Sequence, residues 1–148
     1  MKILNFYDFI KEIWQEIEII YSTKVDKAFT DGYKRIYLNS EFKKEENKDI
    51  KKFVILHELA HIYLNYLNGQ ILEKQPKISK ENEVICDILA TIYLKKISKW
   101  EGKRIIRCLT ILYPSSVALF RIHIIRNILL KEVDNEVVDF DYSTSYTS

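Results

Sequence analysis

Two histidines four residues apart, with a glutamate directly after the first, are the residues of this chain best placed to do chemistry: His57-Glu58-Leu59-Ala60-His61. On a helix, positions i and i+4 stack on one face, so both imidazoles can reach one zinc ion at roughly 2.0–2.1 Å. Glu58 then stands beside the site, ready to take a proton from an attacking water. The flanks fit that helix, because Phe53-Val54-Ile55-Leu56 leads in and Ile62-Tyr63-Leu64 leads out without Gly or Pro. The bare pattern also occurs by chance, but this chain has three histidines and two of them fall in it.

A catalytic zinc needs three protein ligands and an open fourth position. Glu83 is the candidate third ligand, 22 residues after His61 at the start of the apolar run Glu83-Val84-Ile85-Cys86-Asp87-Ile88-Leu89-Ala90. Gly69 and Pro76 give the chain room to reverse between the two helices. Asp87 shares a helix face with Glu83 and suits a carboxylate that accepts an N–H from a ligating histidine and so orients its ring. A carboxylate in so apolar a stretch needs a partner. Glu81 is the nearby rival to Glu83 and fits the helix less well. The oxyanion formed during acyl transfer also requires a donor opposite the metal. His123, the third histidine, is a candidate, as are Tyr33, Tyr63 and Tyr113.

His57-Glu58-Leu59-Ala60-His61, followed about twenty residues later by Glu83-Val84-Ile85-Cys86-Asp87, resembles the ImmA/IrrE metallopeptidases, whose zinc is held by two histidines and a glutamate as in thermolysin. Cys86 stands where that family usually has alanine, one small residue for another. Tyr93-Leu94-Lys95-Lys96 departs from the family's Leu-Leu-Met-Pro type ending. The resemblance implies that Arg35-Ile36-Tyr37-Leu38-Asn39 is an edge strand on which an extended substrate lies by β-augmentation, with Arg35, Ile36, Tyr37 and Leu38 as substrate-binding residues. It also implies that the segment around Tyr113-Pro114-Ser115-Ser116 is helix-turn-helix-like. The similarity spans roughly residues 15–130 and is specific near the metal residues. The implied activity is a narrow-specificity zinc endopeptidase that cuts a helix-turn-helix transcriptional repressor of a phage, mobile element or stress regulon. Two alternatives stand beside it: a zinc-containing module that contacts a repressor or DNA, and a proteolytic toxin of a toxin–antitoxin pair.

The elements that must position these residues read as an α+β fold. Leu4, Tyr7, Ile10, Ile13 and Trp14 recur at helical spacing and predict a helix over 4–15; Ile17–Tyr21 reads as a strand. Thr30-Asp31-Gly32 marks a hairpin turn leading into the strand 35–39, which completes a small antiparallel or mixed three-stranded sheet. Helices are expected at about 45–67, 80–98, 101–112 and 115–131.

Composition points to one small domain. With 148 residues, 47% of them hydrophobic, the chain can bury a core without staples. Cys86 and Cys108 read as reduced core thiols, since their spacing matches neither a zinc knuckle nor a disulfide framework. Asp8 interrupts what a signal peptide would need, and no stretch approaches the ~18 apolar residues of a membrane span, so a cytoplasmic protein is expected. Five acids and no Lys or Arg follow Lys131, which leaves residues 1–131 at +7 against +2 for the whole chain. Residues 1–131 are thus expected to form the peptidase domain, with 101–131 as its helix-turn-helix-like part, and 132–148 an acidic, disordered tail. Six basic residues and no acid lie between Lys103 and Lys131, a face that suits nucleic acid, an acidic partner or solvent.

Overall fold

Asn5 starts the first helix by turning its side chain back to accept the Asp8 N–H at 2.8 Å, which satisfies one of the donors a helix N-terminus leaves open. That cap sets α1 at Phe6–Ile13, shorter than the periodicity predicts, and a 3₁₀ turn at Trp14–Glu16 follows. The computed structural model describes residues 3–69, 80–113 and 116–138. The expected turn at Pro76, the Pro114-Ser115 step and the tail beyond 138 lie outside the described residues. The fold is α+β, with five helices and a three-stranded mixed sheet among the described residues. Where the sequence suggests one domain over 1–131, the chain divides into two compact units, Met1–Tyr93 and Leu94–Ser148.

In the first unit, β1 (Glu18–Ser22), β2 (Ala28–Thr30) and β3 (Arg35–Asn39) pair in the order β1-β3-β2. β1 runs parallel to β3 with Ile19 opposite Ile36, and β2 runs antiparallel to β3 with Phe29 opposite Tyr37. The period of two puts Ile36 and Leu38 wholly inside, while Phe29 and Tyr37 stack at 4.5 Å between ring centroids. β3 is therefore the central strand, not the edge strand expected from the resemblance. An alternating apolar pentapeptide reads the same at an edge or a centre; pairing on both sides follows from the long-range partners β1 and β2.

Helix α2 (Lys48–Leu67) is buried on several sides, with Phe53, Leu59, Ala60 and Ile62 almost fully enclosed. α1 meets it through aromatic contacts: Phe6 and Phe9 each lie 5.3 Å from the Tyr63 ring. The Tyr63 hydroxyl donates to Leu4 O at 2.9 Å, and the Leu4 N–H donates to Tyr66 Oη at 3.1 Å, so the chain entering α1 is tied to α2. Helix α3 spans Lys80–Lys96 and buries Cys86, Asp87, Ala90 and Thr91. It ends two residues before the expected 98 because Lys99 takes a left-handed conformation (φ 60°) and the Trp100 N–H turns back to Leu94 O at 2.9 Å.

The second unit is built on α4 (Gly102–Leu112) and α5 (Ser116–Val138), which pack together. Ile105, Leu109 and Leu112 on α4, with Ile122, Ile125 and Leu129 on α5, supply buried apolar side chains. Two of the basic residues of this segment are held by aromatic faces: the buried Arg121 guanidinium sits 3.7 Å from the Tyr113 centroid, and that of Arg104 lies 4.0 Å from Trp100. α5 continues past Lys131 to Val138, into the first residues of the segment expected to be a tail. No Gly or Pro interrupts Glu132–Val138, and extending an existing helix costs far less than starting one. Both cysteines are buried, as core thiols are expected to be. Among the described residues no helix is long and apolar enough to cross a membrane.

The β2–β3 turn is the tightest point of the first unit. Asp31 Oδ1 accepts the N–H groups of Tyr33, Lys34 and Arg35 at 2.8–3.0 Å, and the Thr30 hydroxyl donates to Arg35 O at 2.6 Å. Gly32 has φ +85°, and a Cβ there would collide with the Asn65 side chain whose Nδ2 donates to Gly32 O at 2.9 Å. Gly32→Ala is expected to lower unfolding stability by about 1–3 kcal/mol in denaturant titration, through left-handed strain and loss of the Asn65 contact. A wild-type midpoint in that variant would show that the turn relaxes freely.

Candidate metal centre

One turn of α2 and the first turns of α3 bring the expected site residues together. His57 and His61 stack on α2 with ring centroids 5.0 Å apart. Glu83 spans them from α3: its Oε2 lies 3.3 Å from His57 Nε2 and its Oε1 2.7 Å from His61 Nε2. One turn further along α3, Asp87 Oδ1 lies 2.8 Å from His57 Nδ1. Asp87 is 1% exposed and His57 4%. With Nδ1 engaged, Nε2 is the atom His57 has left to offer a metal, and Nε2 is the atom that faces Glu83.

The donor atoms of His57, His61 and Cys86 all lie within 4.8 Å of one another, so this group could hold a metal ion. Two third donors are thus at hand, Glu83 and Cys86. Glu83 has the stronger geometric claim because its two oxygens meet both Nε2 atoms directly, whereas the Cys86 thiol is fully buried beside them. Two imidazoles and a carboxylate converging from two helices match the chemistry of a three-ligand divalent site.

The same geometry sets the charges. Burial works against a charged His57, but the hydrogen bonds to Asp87 and Glu83 outweigh it and raise the imidazole pKa to about 9. Hydrogen bonds from both histidines hold Glu83 far below the usual carboxylate range. Glu58 shifts the other way: it is 6% exposed, and burial raises its pKa despite the neighbouring imidazoles. In a protein of forty-odd charged residues, a carboxylate buried and shifted upward beside two histidines is the environment expected of a general base.

Glu58, His61 and Glu83 open onto a cavity of about 410 Å³. Its opposite wall is β2, Ala28–Thr30, with the turn residues Asp31, Gly32 and Tyr33. Among the described residues β2 pairs with β3 alone, as β1 does, so it is one of the two edge strands of the sheet. The wall assigned from sequence to Arg35, Ile36, Tyr37 and Leu38 therefore belongs to β2; Ile36 and Leu38 are core, and Arg35 pairs with Glu18 at 3.1 Å.

Of the oxyanion candidates, Tyr33 lines this cavity and is 61% exposed. Tyr63 is committed to the aromatic contact with α1, and Tyr113 to Arg121. His123 is exposed on α5 in the second unit, its Nε2 3.4 Å from Asn127 Nδ2. It stands at a solvent-facing position of an amphipathic helix, for which histidine is an ordinary occupant. Sequence reasoning missed Asn65 and Asn82, which also line the cavity. Asn65 was findable, four residues after His61 on the same helical face. Comparisons with protein-family models, with curated proteins and with solved structures return no match. Function must accordingly be argued from the site.

In the metal-free protein the raised His57 pKa makes stability depend on pH with a definite sign. The imidazolium held between two carboxylates stabilises the fold in full below the unfolded-state value near 6.5, and this contribution is lost as pH rises through about 9. The unfolding temperature of the metal-free protein is expected to fall across that window, and Asp87→Asn to flatten the slope. A flat wild-type profile would contradict the pairing.

Proposed function

We propose that this chain is a zinc-dependent endopeptidase of the ImmA/IrrE type, acting in the cytoplasm on a narrow set of protein substrates. The observation that carries the reading is the position of Glu58: buried, shifted toward protonation, and lining with His61 and Glu83 a cavity walled by the edge strand β2. His57, His61 and Glu83 would hold the metal, with Asp87 fixing the His57 ring. When bound, zinc polarises a peptide carbonyl and acidifies water.

The remaining work falls to the chain's own groups. Glu58 takes the proton of the attacking water and returns it to the leaving amine, a double role that suits a carboxylate whose pKa burial raises. The edge of β2 offers its backbone N–H and C=O groups to an extended peptide, which aligns a scissile bond over Glu58. Tyr33, at the cavity mouth, is the donor best placed to meet developing negative charge on the substrate oxygen. A cleft of this size admits a few extended residues rather than a folded domain. An exposed linker or loop of a helix-turn-helix repressor is a substrate of that kind.

Cys86 favours a second reading. If its thiol joined His57, His61 and Glu83, four protein ligands would close the centre and make it a structural zinc site in a binding module. Cobalt separates the two: the peptidase reading expects visible d–d bands of bound Co²⁺ without a near-ultraviolet thiolate-to-cobalt charge-transfer band. A strong charge-transfer band that disappears in Cys86→Ala would establish the closed centre instead. The activity itself is tested by co-expressing the transcriptional regulator encoded beside this gene with wild-type protein or with Glu58→Gln and measuring its intact mass. Two fragments that sum to the regulator plus one water are expected with wild type alone. An uncut regulator in both cases would count against repressor cleavage.

A further inference from the structure

A second cavity of the first unit, about 670 Å³, lies away from the cleft, in a groove between α1 and α2. Lys48, Lys51, Lys52, Ile55 and Leu59 line it from α2 at positions i, i+3, i+4, i+7 and i+11, a single helical stripe. Residues 55 and 57 differ by about 200° around the helix axis, so this stripe faces away from His57 and His61. The floor is apolar, formed by Ile10, Leu56 and Leu59, all buried. Trp14 stands at the mouth and is 46% exposed, which is unusual for so large an apolar side chain.

The rim has one sign of charge. Lys11, Lys48, Lys51 and Lys52 line the groove, and among the described residues no carboxylate does. Lys48 contacts Glu45 at 3.2 Å, an exposed pair one helical turn apart that a stronger partner can displace. Lys11 and Lys51 lie over the rings of Tyr7 and Tyr21, 5.3 and 5.4 Å from the centroids, which holds their cationic ends near the surface of the unit. An apolar trough bordered by lysines is complementary to an amphipathic helix whose apolar face carries anchors at i, i+3, i+4 and i+7 and whose flanks carry Asp and Glu. The charges steer and orient such a helix while the trough supplies the affinity.

We propose that this groove is a docking site for an acidic amphipathic helix of a partner protein. It can be filled while the cleft on the other face of α2 is engaged, and it does not depend on the metal-centre reading. Trp14 gives a direct readout, because the second tryptophan, Trp100, is 5% exposed in the other unit. The full chain is titrated with a synthetic helix of about four turns bearing Leu at i, i+3, i+4 and i+7 and Glu elsewhere, and Trp14 emission is followed. A saturable blue shift is expected, weakened by salt and abolished in Trp14→Phe. Affinity should fall about tenfold in the surface variant Lys48→Gln/Lys51→Gln/Lys52→Gln. No saturation by about 1 mM peptide, equal binding of the lysine counterpart, or unchanged affinity in the triple variant would each overturn the proposal. So would a shift that grows with protein concentration alone, which would assign the groove to a second copy, or one produced only by anionic lipid vesicles.

Discussion

The contact between His57 Nδ1 and Asp87 Oδ1, 2.8 Å long and almost wholly out of water, is the constraint around which the first unit is arranged. It joins α2 to α3 at the level of the site, and it leaves Nε2 as the donor His57 can present. Neither partner could be buried alone without a severe desolvation penalty, so each requires the other in place. Glu83 sits one turn before Asp87 and inherits its position from the same register between the helices.

α2 serves several environments at once. Phe53, Ala60 and Ile62 are enclosed, Tyr63 receives the aromatic residues of α1, and Glu58 and His61 open onto the cavity. Because surrounding side chains exclude water from Glu58, its carboxylate is easier to protonate than an exposed one. Burial thus acts here on reactivity as well as on stability. The sheet contributes through its shortest strand: β2 has three residues, pairs on one side only, and is held over the cleft by the Asp31 turn and the Asn65–Gly32 hydrogen bond. So short an edge strand can border the cavity without becoming a long, sticky edge.

Much of the site was legible in the sequence. His57, Glu58 and His61 lie within five residues, and Glu83 with Asp87 within another five, so helical periodicity alone sets which side chains share a face. The hairpin at Thr30-Asp31-Gly32 was equally local, since Asp31 can cap the next three N–H groups and Gly32 can take a positive φ. The α+β class followed from the change of apolar period along the chain.

What only the tertiary structure decided involves residues far apart in the chain. That β3 is central and β2 the edge depends on pairings whose strand sequences look alike whichever place they occupy. Which atoms of Glu83 meet which histidine, and that Cys86 lies within reach of both, follow from the register of α3 against α2, set by burial across more than twenty intervening residues. His123 has a residue type suited to catalysis, yet it belongs to α5 of the second unit, where it is exposed and neighbours Asn127. A local pattern specifies the chemistry a segment is able to offer; long-range packing, whose favourable terms accrue only once the core has closed, determines which offers meet.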